Sequence, residues 1–214
     1  MLLLLQRRFS FYWGICLFII LWSNSLYAQD TVTILCLGDS LTEGYGIDRT
    51  EAYPYLVERA FQAQGHQHVK VINAGISGST SASALSRLKW YLRIKPDILV
   101  LALGANDGLR GLDSEAMKKN LASTIKLALD AEIRVVLAGM KMPPNYGIQY
   151  AESFAAVYPR LAEEHKIHLI PFLLDGVAGH PELNLPDGIH PNPQGHKIIA
   201  DMIFQHLSPL LPSS

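Results

Sequence analysis

Five short, almost continuous apolar runs alternate with segments of helical periodicity along this chain. The runs are rich in Val, Ile and Leu, as expected for parallel strands that are covered by helices on both faces. Strands that alternate with helices favour an α/β domain of three layers, in which helices flank a mostly parallel sheet of about five strands. The predicted strands are residues 31–37, 69–73, 97–103, 134–140 and 168–172.

Helices are predicted between and after these strands. One face of the segment 114–132 is apolar and is expected to pack on the sheet. The residues predicted on that face are Leu121, Ile125, Ala128 and Leu129. Gly65 is expected to end the first of the long helices, and Asn192 with Pro193 to begin the last one. The other predicted helices are residues 52–65, 81–94, 149–165 and 194–207.

Residues 1–28 have the composition of a secretory signal peptide. Two arginines precede an apolar stretch over residues 9–22, and a polar patch ends at Ala28. This is the order of a charged start, a hydrophobic middle and a small residue before the cleavage site. We therefore expect a single domain over residues 29–214 and a periplasmic or secreted protein. An uncleaved segment would instead anchor the protein in the membrane.

Charge and cysteine content exclude several classes of function. Loss of Arg7 and Arg8 with the signal peptide lowers the number of basic side chains from 18 to 16 against 19 acidic ones, so the net charge becomes −3. No cluster of lysine and arginine interrupts this balance, and we expect no nucleic-acid partner. Cys36 is then the single cysteine, which excludes an intramolecular disulfide and favours a small buried side chain.

Polar, turn-forming clusters follow three of the predicted strands, and a fourth cluster lies near the carboxyl terminus. Open parallel sheets bind ligands beyond the carboxyl ends of their strands, so the clusters are expected at a common site. Between them they contain a serine, an aspartate, a histidine and candidate hydrogen-bond donors for a negatively charged oxygen. The clusters are residues 38–40, 73–80, 104–108 and 187–191.

Ser40, Asp187 and His190 are the candidate catalytic residues. A serine hydroxyl becomes a good nucleophile when a base takes its proton, and the base needs a partner that orients it. Asp187 and His190 are three residues apart, a spacing at which a carboxylate can accept from one imidazole nitrogen. Each residue taken alone also fits an ordinary turn. Asp39 is expected to support the turn by local hydrogen bonds and not to act as the catalytic acid.

Gly78 and Asn106 are candidate donors for the oxyanion of a tetrahedral intermediate. Glycine can bring a backbone amide close to a ligand because it has no Cβ. Asparagine can add a side-chain amide, although a tight turn is the alternative interpretation of Asn106. Losing one such donor costs roughly 3–4 kcal/mol of barrier lowering.

The histidines near the carboxyl terminus raise the question of a metal site. Zinc needs three or four ligands at characteristic spacings, and the chain does not show them. We therefore expect no metal, and we expect His196 to lie on a helix surface.

Together these motifs resemble those of the GDSL, or SGNH, hydrolase family. GDSL at 38–41 resembles the nucleophile block, ISG at 76–78 the glycine block, GAND at 104–107 the asparagine block and DGIH at 187–190 the aspartate–histidine block. All four blocks occur in order, which is far more specific than the first tetrapeptide alone. The resemblance covers residues 31–210 and implies a flavodoxin-like α/β/α sandwich without a cofactor.

The resemblance also implies a role for each candidate residue. It implies Ser40 as the nucleophile, His190 as the base and Asp187 as the partner that orients the base. The implied oxyanion hole consists of the backbone N–H groups of Ser40 and Gly78 and the side chain of Asn106.

Within the family, the chain is most similar to the exported bacterial group of acyl-CoA thioesterase I, lysophospholipase and arylesterase. Its recognisable stretches are residues 105–112, 143–162 and 185–196. The group implies a serine esterase that hydrolyses acyl esters, thioesters and lysophospholipids through an acyl-enzyme. We expect small-molecule substrates, a monomer and no stable membrane insertion after signal cleavage. A carbohydrate O-acetyl esterase is the first alternative, and a non-catalytic binding domain on the same fold is the second.

Two loops are expected to set the acyl-chain preference, residues 107–113 and 141–150. The second is apolar, proline-rich and aromatic. It either walls an acyl groove or packs as an ordinary loop.

Overall fold

The five apolar runs form one parallel sheet. The strands are β1 (Val32–Gly38), β2 (Val69–Gly75), β3 (Ile98–Ala102), β4 (Arg134–Ala138) and β5 (His168–Ile170). Their spatial order is β2-β1-β3-β4-β5, and every neighbouring pair is parallel. This is the flavodoxin-like order, so the predicted fold class is confirmed.

The computed structural model describes residues 31–211. The predicted signal peptide, residues 1–28, lies outside the described residues. No helix within the described part of the chain is long and apolar enough to cross a membrane.

Seven α-helices occur in this part of the chain, six of them between strands and one after the last strand. They are α1 (Ser40–Glu43), α2 (Tyr53–Ala63), α3 (Ala84–Tyr91), α4 (Ala105–Leu109), α5 (Ser114–Asp130), α6 (Ile148–His165) and α7 (Pro193–Leu207). The five long helices match the predicted segments. The one-turn helices α1 and α4 follow β1 and β3 directly, and a segment this short has no helical periodicity to detect. Short 3₁₀ turns occupy Ser81–Ser83, Leu92–Ile94, Pro144–Tyr146, Pro181–Leu183 and Ser208–Leu210.

Helices cover the sheet in two groups. α2 packs against α7, whereas α5 packs against both α3 and α6. The inner strands β1, β3 and β4 are almost wholly buried, which explains their lack of apolar–polar alternation. The edge strands β2 and β5 are partly exposed. Cys36 in β1 is fully buried, as predicted, and burial raises the pKa of its thiol to about 12.

The apolar face of α5 differs from the prediction at one position. Leu121, Ile125 and Ala128 are fully buried, but Leu129 is 38% exposed. At roughly 100° per residue, Leu129 lies about 80° around the helix from Leu121, at the edge of the stripe that faces the core. Met117 completes the buried stripe instead.

The predicted ends of two helices are confirmed. The Asn192 side chain accepts hydrogen bonds from the backbone N–H groups of Gln194 (3.0 Å) and Gly195 (3.1 Å), and Pro193 is the first residue of α7. Gly65 follows the end of α2 with φ of +91°, a conformation that favours glycine.

His196 is not on a helix surface, and that prediction was wrong. Its side chain is 1% exposed, and its Nδ1 accepts a hydrogen bond of 3.2 Å from the backbone N–H of Tyr53. Burial, with a smaller effect of a charged His190, lowers the pKa of His196 to about 4. The residue therefore joins α7 to the start of α2 as a neutral imidazole.

This burial predicts a loss of stability in acid. Below pH 6.5 the unfolded chain binds a proton at His196 that the folded protein does not bind until about pH 4. The free energy of unfolding of the wild type should therefore fall, relative to a His196→Gln variant, by roughly 3 kcal/mol between pH 7 and pH 4. Urea unfolding of both proteins across this range checks it. Parallel pH profiles for the two proteins would contradict the prediction.

Candidate active site

The carboxyl ends of the three strands β2, β1 and β3 bring Ser40, Gly78 and Asn106 to one edge of the sheet, and Asp187 and His190 come from the segment between β5 and α7. Gly38 pairs with Gly75 on one side and with Ala102 on the other. A Cβ at Gly75 would overlap the backbone of Thr42 and Glu43, and a Cβ at Gly38 would overlap the side chain of Thr42. These two glycines therefore allow α1, which begins with Ser40, to lie directly on the strand ends.

Ser40, His190 and Asp187 form a continuous chain of hydrogen bonds. The Ser40 Oγ lies 2.9 Å from His190 Nε2, and His190 Nδ1 lies 2.8 Å from Asp187 Oδ2. An ionised carboxylate can only accept, so Nδ1 carries the hydrogen and Nε2 is left as an acceptor for the serine hydroxyl. This is the arrangement in which an imidazole can remove the serine proton.

Asp187 is held by its own turn. Its Oδ1 accepts from the backbone N–H groups of Ile189 (2.9 Å) and His190 (3.0 Å). These two bonds, and the bond from the imidazole, lower the pKa of Asp187 to about 2. The carboxylate is therefore ionised at any pH near neutrality, and its closeness to solvent also favours the ionised form. Gly188 has φ of +69°, which accounts for the glycine inside this turn.

The backbone N–H groups of Ser40 and Gly78 are free to bind a ligand oxygen. Within residues 31–211 neither group donates a hydrogen bond to a protein acceptor. Gly78 has φ of +76°, which disfavours any other residue there. The Asn106 Nδ2 donates to the carbonyl of Ser79 at 3.1 Å and lies 3.5 Å from Asp39 Oδ2. That second contact is long, so one amide hydrogen of Asn106 is available to a ligand.

Asp39 has the local role that the sequence predicts. It is 1% exposed, and its Oδ1 accepts from the backbone N–H of Leu41 at 3.0 Å, which caps α1. Burial raises its pKa to about 6, against the opposing effects of this bond and of His190 and Arg87. Asp39 makes no hydrogen bond to the imidazole of His190 in the described structure, where Asp187 occupies that position.

Sequence reasoning missed several residues that support the site. Asp107 is buried, and its carboxylate accepts from the Ser81 hydroxyl (2.6 Å) and N–H (2.8 Å), which ties the segment after Gly78 to α4. Tyr45 lies beside His190, with ring centroids 4.6 Å apart. No sequence signal identifies these pairs, because their members are 26 and 145 residues apart.

Large exposed apolar side chains lie on the loops and helix ends at this edge of the sheet. We call them the apolar rim: Tyr45, Ile76, Leu109, Leu112, Tyr146, Ile148 and Ile189. The loop over residues 141–150 is partly buried and partly exposed. Met142 is buried against Gly108, whereas Tyr146 is exposed and Ile148 is 69% exposed. Part of the loop therefore packs against α4, and part is exposed surface.

Comparisons with known proteins identify the family of this chain. The model of the GDSL-like lipase/acylhydrolase family matches residues 36–198. An arylesterase of Vibrio mimicus is 40% identical, over 86% of this chain and 92% of the relative. A protein of Escherichia coli K12 named thioesterase 1/protease 1/lysophospholipase L1 is 37% identical, over 91% of each chain. A crystal structure of TesA superposes with a TM-score of 0.80 at 38% identity, over 84% of this chain and 99% of that one. The chain therefore belongs to the GDSL-like lipase/acylhydrolase family, as its four motifs predict.

Proposed function

We propose that this protein hydrolyses acyl esters and thioesters through an acyl-enzyme on Ser40. Its membership of the family makes it a carboxylic ester hydrolase. The observation that supports Ser40 as the nucleophile is the hydrogen-bond chain from Ser40 Oγ through His190 to Asp187. We propose the backbone N–H groups of Ser40 and Gly78 and the Asn106 amide as the oxyanion hole.

The reaction follows from these positions. His190 Nε2 takes the hydroxyl proton while Ser40 Oγ attacks the acyl carbon, and Asp187 stabilises the imidazolium that forms. The oxyanion hole binds the negative oxygen of the tetrahedral intermediate. When the intermediate collapses, His190 gives the proton to the leaving alcohol or thiol. Water then attacks the acyl-enzyme with His190 again as base, and the acid leaves.

The apolar rim favours substrates with a long acyl chain over acetylated carbohydrates. Exposed apolar side chains around a catalytic site lower the free energy of an alkyl chain that they remove from water. The relatives named arylesterase and thioesterase/lysophospholipase fit this preference. We propose aryl esters, acyl thioesters and lysophospholipids as the substrate class.

A panel of substrates with graded chain length tests the proposal. We expect kcat/KM to rise beyond the acetyl ester, by up to about fourfold for each methylene that is buried. Ile148→Ser should reduce this increase because it removes apolar surface from the rim. Ile198→Ser, a change at an exposed isoleucine of α7 outside the rim, should leave it unchanged. A preference for acetylated sugars without any gain from longer chains would favour the carbohydrate O-acetyl esterase instead.

We also propose that the protein is exported and that residues 1–28 are removed. The order of charged, apolar and small residues in that segment supports this proposal. All the protein groups in the proposed steps come from one chain. We therefore propose that the active unit is a monomer.

A further inference from the structure

The segment that bears Gly78 has little packing to hold it. We call residues 76–80 the oxyanion loop. Ile76, Ser77 and Gly78 are exposed, and Gly78 has no side chain that could anchor it. An oxyanion donor must lie about 2.7–3.1 Å from the developing charge. The position of the Gly78 N–H therefore depends on contacts that its neighbours make.

Glu43 makes two of these contacts. It is the last residue of α1, the one-turn helix that begins with Ser40. Its Oε2 accepts from the backbone N–H of Ser77 at 2.8 Å and also from the Ser77 hydroxyl. One carboxylate thus joins the helix of the nucleophile to the residue just before Gly78. Hydrogen bonds to an ionised acceptor are about twice as strong as neutral ones.

Other hydrogen bonds keep β2 and the oxyanion loop next to β1 and α1, and one more binds the carbonyl of Gly78. The Ile76 N–H donates to the carbonyl of Gly38 at 3.2 Å, and the Asn73 side chain donates to the carbonyl of Glu43 at 3.3 Å. Arg110 donates to the carbonyl of Gly78 at 3.0 Å. Along the chain, the Gly78 N–H therefore lies between Ser77, which a carboxylate holds, and the Gly78 carbonyl, which a guanidinium holds.

We propose that Glu43 is a positioning residue that sets where the Gly78 N–H lies relative to Ser40. This inference rests on the proposed function, because it assumes that Gly78 is an oxyanion donor. The effect acts through Ser77 and does not require Glu43 to touch the substrate. It should be felt in the transition state, where the oxyanion is fully formed, more than in substrate binding.

Steady-state kinetics of Glu43 variants with a short p-nitrophenyl ester test the proposal. We expect Glu43→Ala to lower kcat about 10-fold, with KM changed less than about twofold, because the donor is displaced but not lost. Glu43→Gln keeps an acceptor oxygen and should recover most of the rate. Glu152→Ala, at an exposed glutamate of α6, is the matched control and should keep the wild-type kcat.

Ser77→Ala provides an independent variant. It removes one of the two donors to Glu43 and should lower kcat by a smaller factor than Glu43→Ala does. In the Glu43→Ala background it should have no further effect, because the Ser77 hydroxyl then has no carboxylate to bind.

The outcomes separate the two proposals. If Ser40→Ala is inactive and Glu43→Ala keeps the wild-type kcat, the role of Glu43 is wrong and the proposed function stands. If Glu43→Ala lowers the melting temperature but leaves kcat unchanged, Glu43 is structural only and the inference is overturned. If Ser40→Ala keeps the wild-type rate, the proposed function itself fails.

Discussion

Ser40→Ala is expected to lower kcat for ester hydrolysis by roughly four to six orders of magnitude. The Oγ is the atom that would form the acyl-enzyme, and no other serine in residues 31–211 lies within hydrogen-bond distance of His190 Nε2. The free energy of unfolding should change by less than about 1 kcal/mol, because the hydroxyl has one hydrogen bond and alanine is a good first residue for a helix. This variant should therefore lose its activity and keep its stability.

Kinetics with a short p-nitrophenyl ester and urea unfolding check this prediction together. Ser86→Ala is a suitable control, since it removes an exposed serine hydroxyl whose partner is the carbonyl of Ser83 on the same side of α3. An alkyl phosphonate that reacts with active serines should add one group to the wild type, on Ser40, and none to Ser40→Ala. Substantial turnover by Ser40→Ala would rule out Ser40 as the nucleophile.

His190→Ala is expected to lower kcat by a similar factor, roughly four orders of magnitude or more. Without the imidazole, nothing at 2.9 Å can accept the Ser40 proton. The double variant Ser40→Ala/His190→Ala should be no slower than Ser40→Ala alone, because residues that act as one unit are not additive. This combination distinguishes a working triad from two independent contributions to binding.

His180→Ala is the matched control for this prediction. His180 lies in the same carboxyl-terminal region and also faces a carboxylate, with its Nδ1 3.3 Å from Glu182 Oε1, but it does not contact Ser40. The kcat of His180→Ala should equal that of the wild type. A His190→Ala rate within tenfold of the wild type would overturn the role of His190, as would losses that multiply in the double variant.

The fold was largely predictable because it depends on local patterns. Apolar runs such as residues 97–103 become buried strands in any sheet with helices on both faces, and Asn192-Pro193 begins a helix wherever one can form. The errors concern the environment of single side chains. Leu129 lies at the edge of an apolar stripe, and His196 is buried because α2 begins against α7. Periodicity along one helix contains no information about what packs on it.

The sequence by itself determined which chemical groups are available and at which edge of the sheet they lie. Ser40, Gly78 and Asn106 follow strands that the apolar runs identify, and parallel strands place their carboxyl ends together. Distances and partners were decided by the tertiary structure alone. The 2.9 Å contact between Ser40 and His190 joins residues 150 apart, and the contact between Glu43 and Ser77 joins residues 34 apart. Such pairs arise because the sheet order and the glycines under α1 bring separate loops to one place. Whether a hydrogen bond then forms depends on tenths of an ångström, which the spacing of residues in the sequence does not specify.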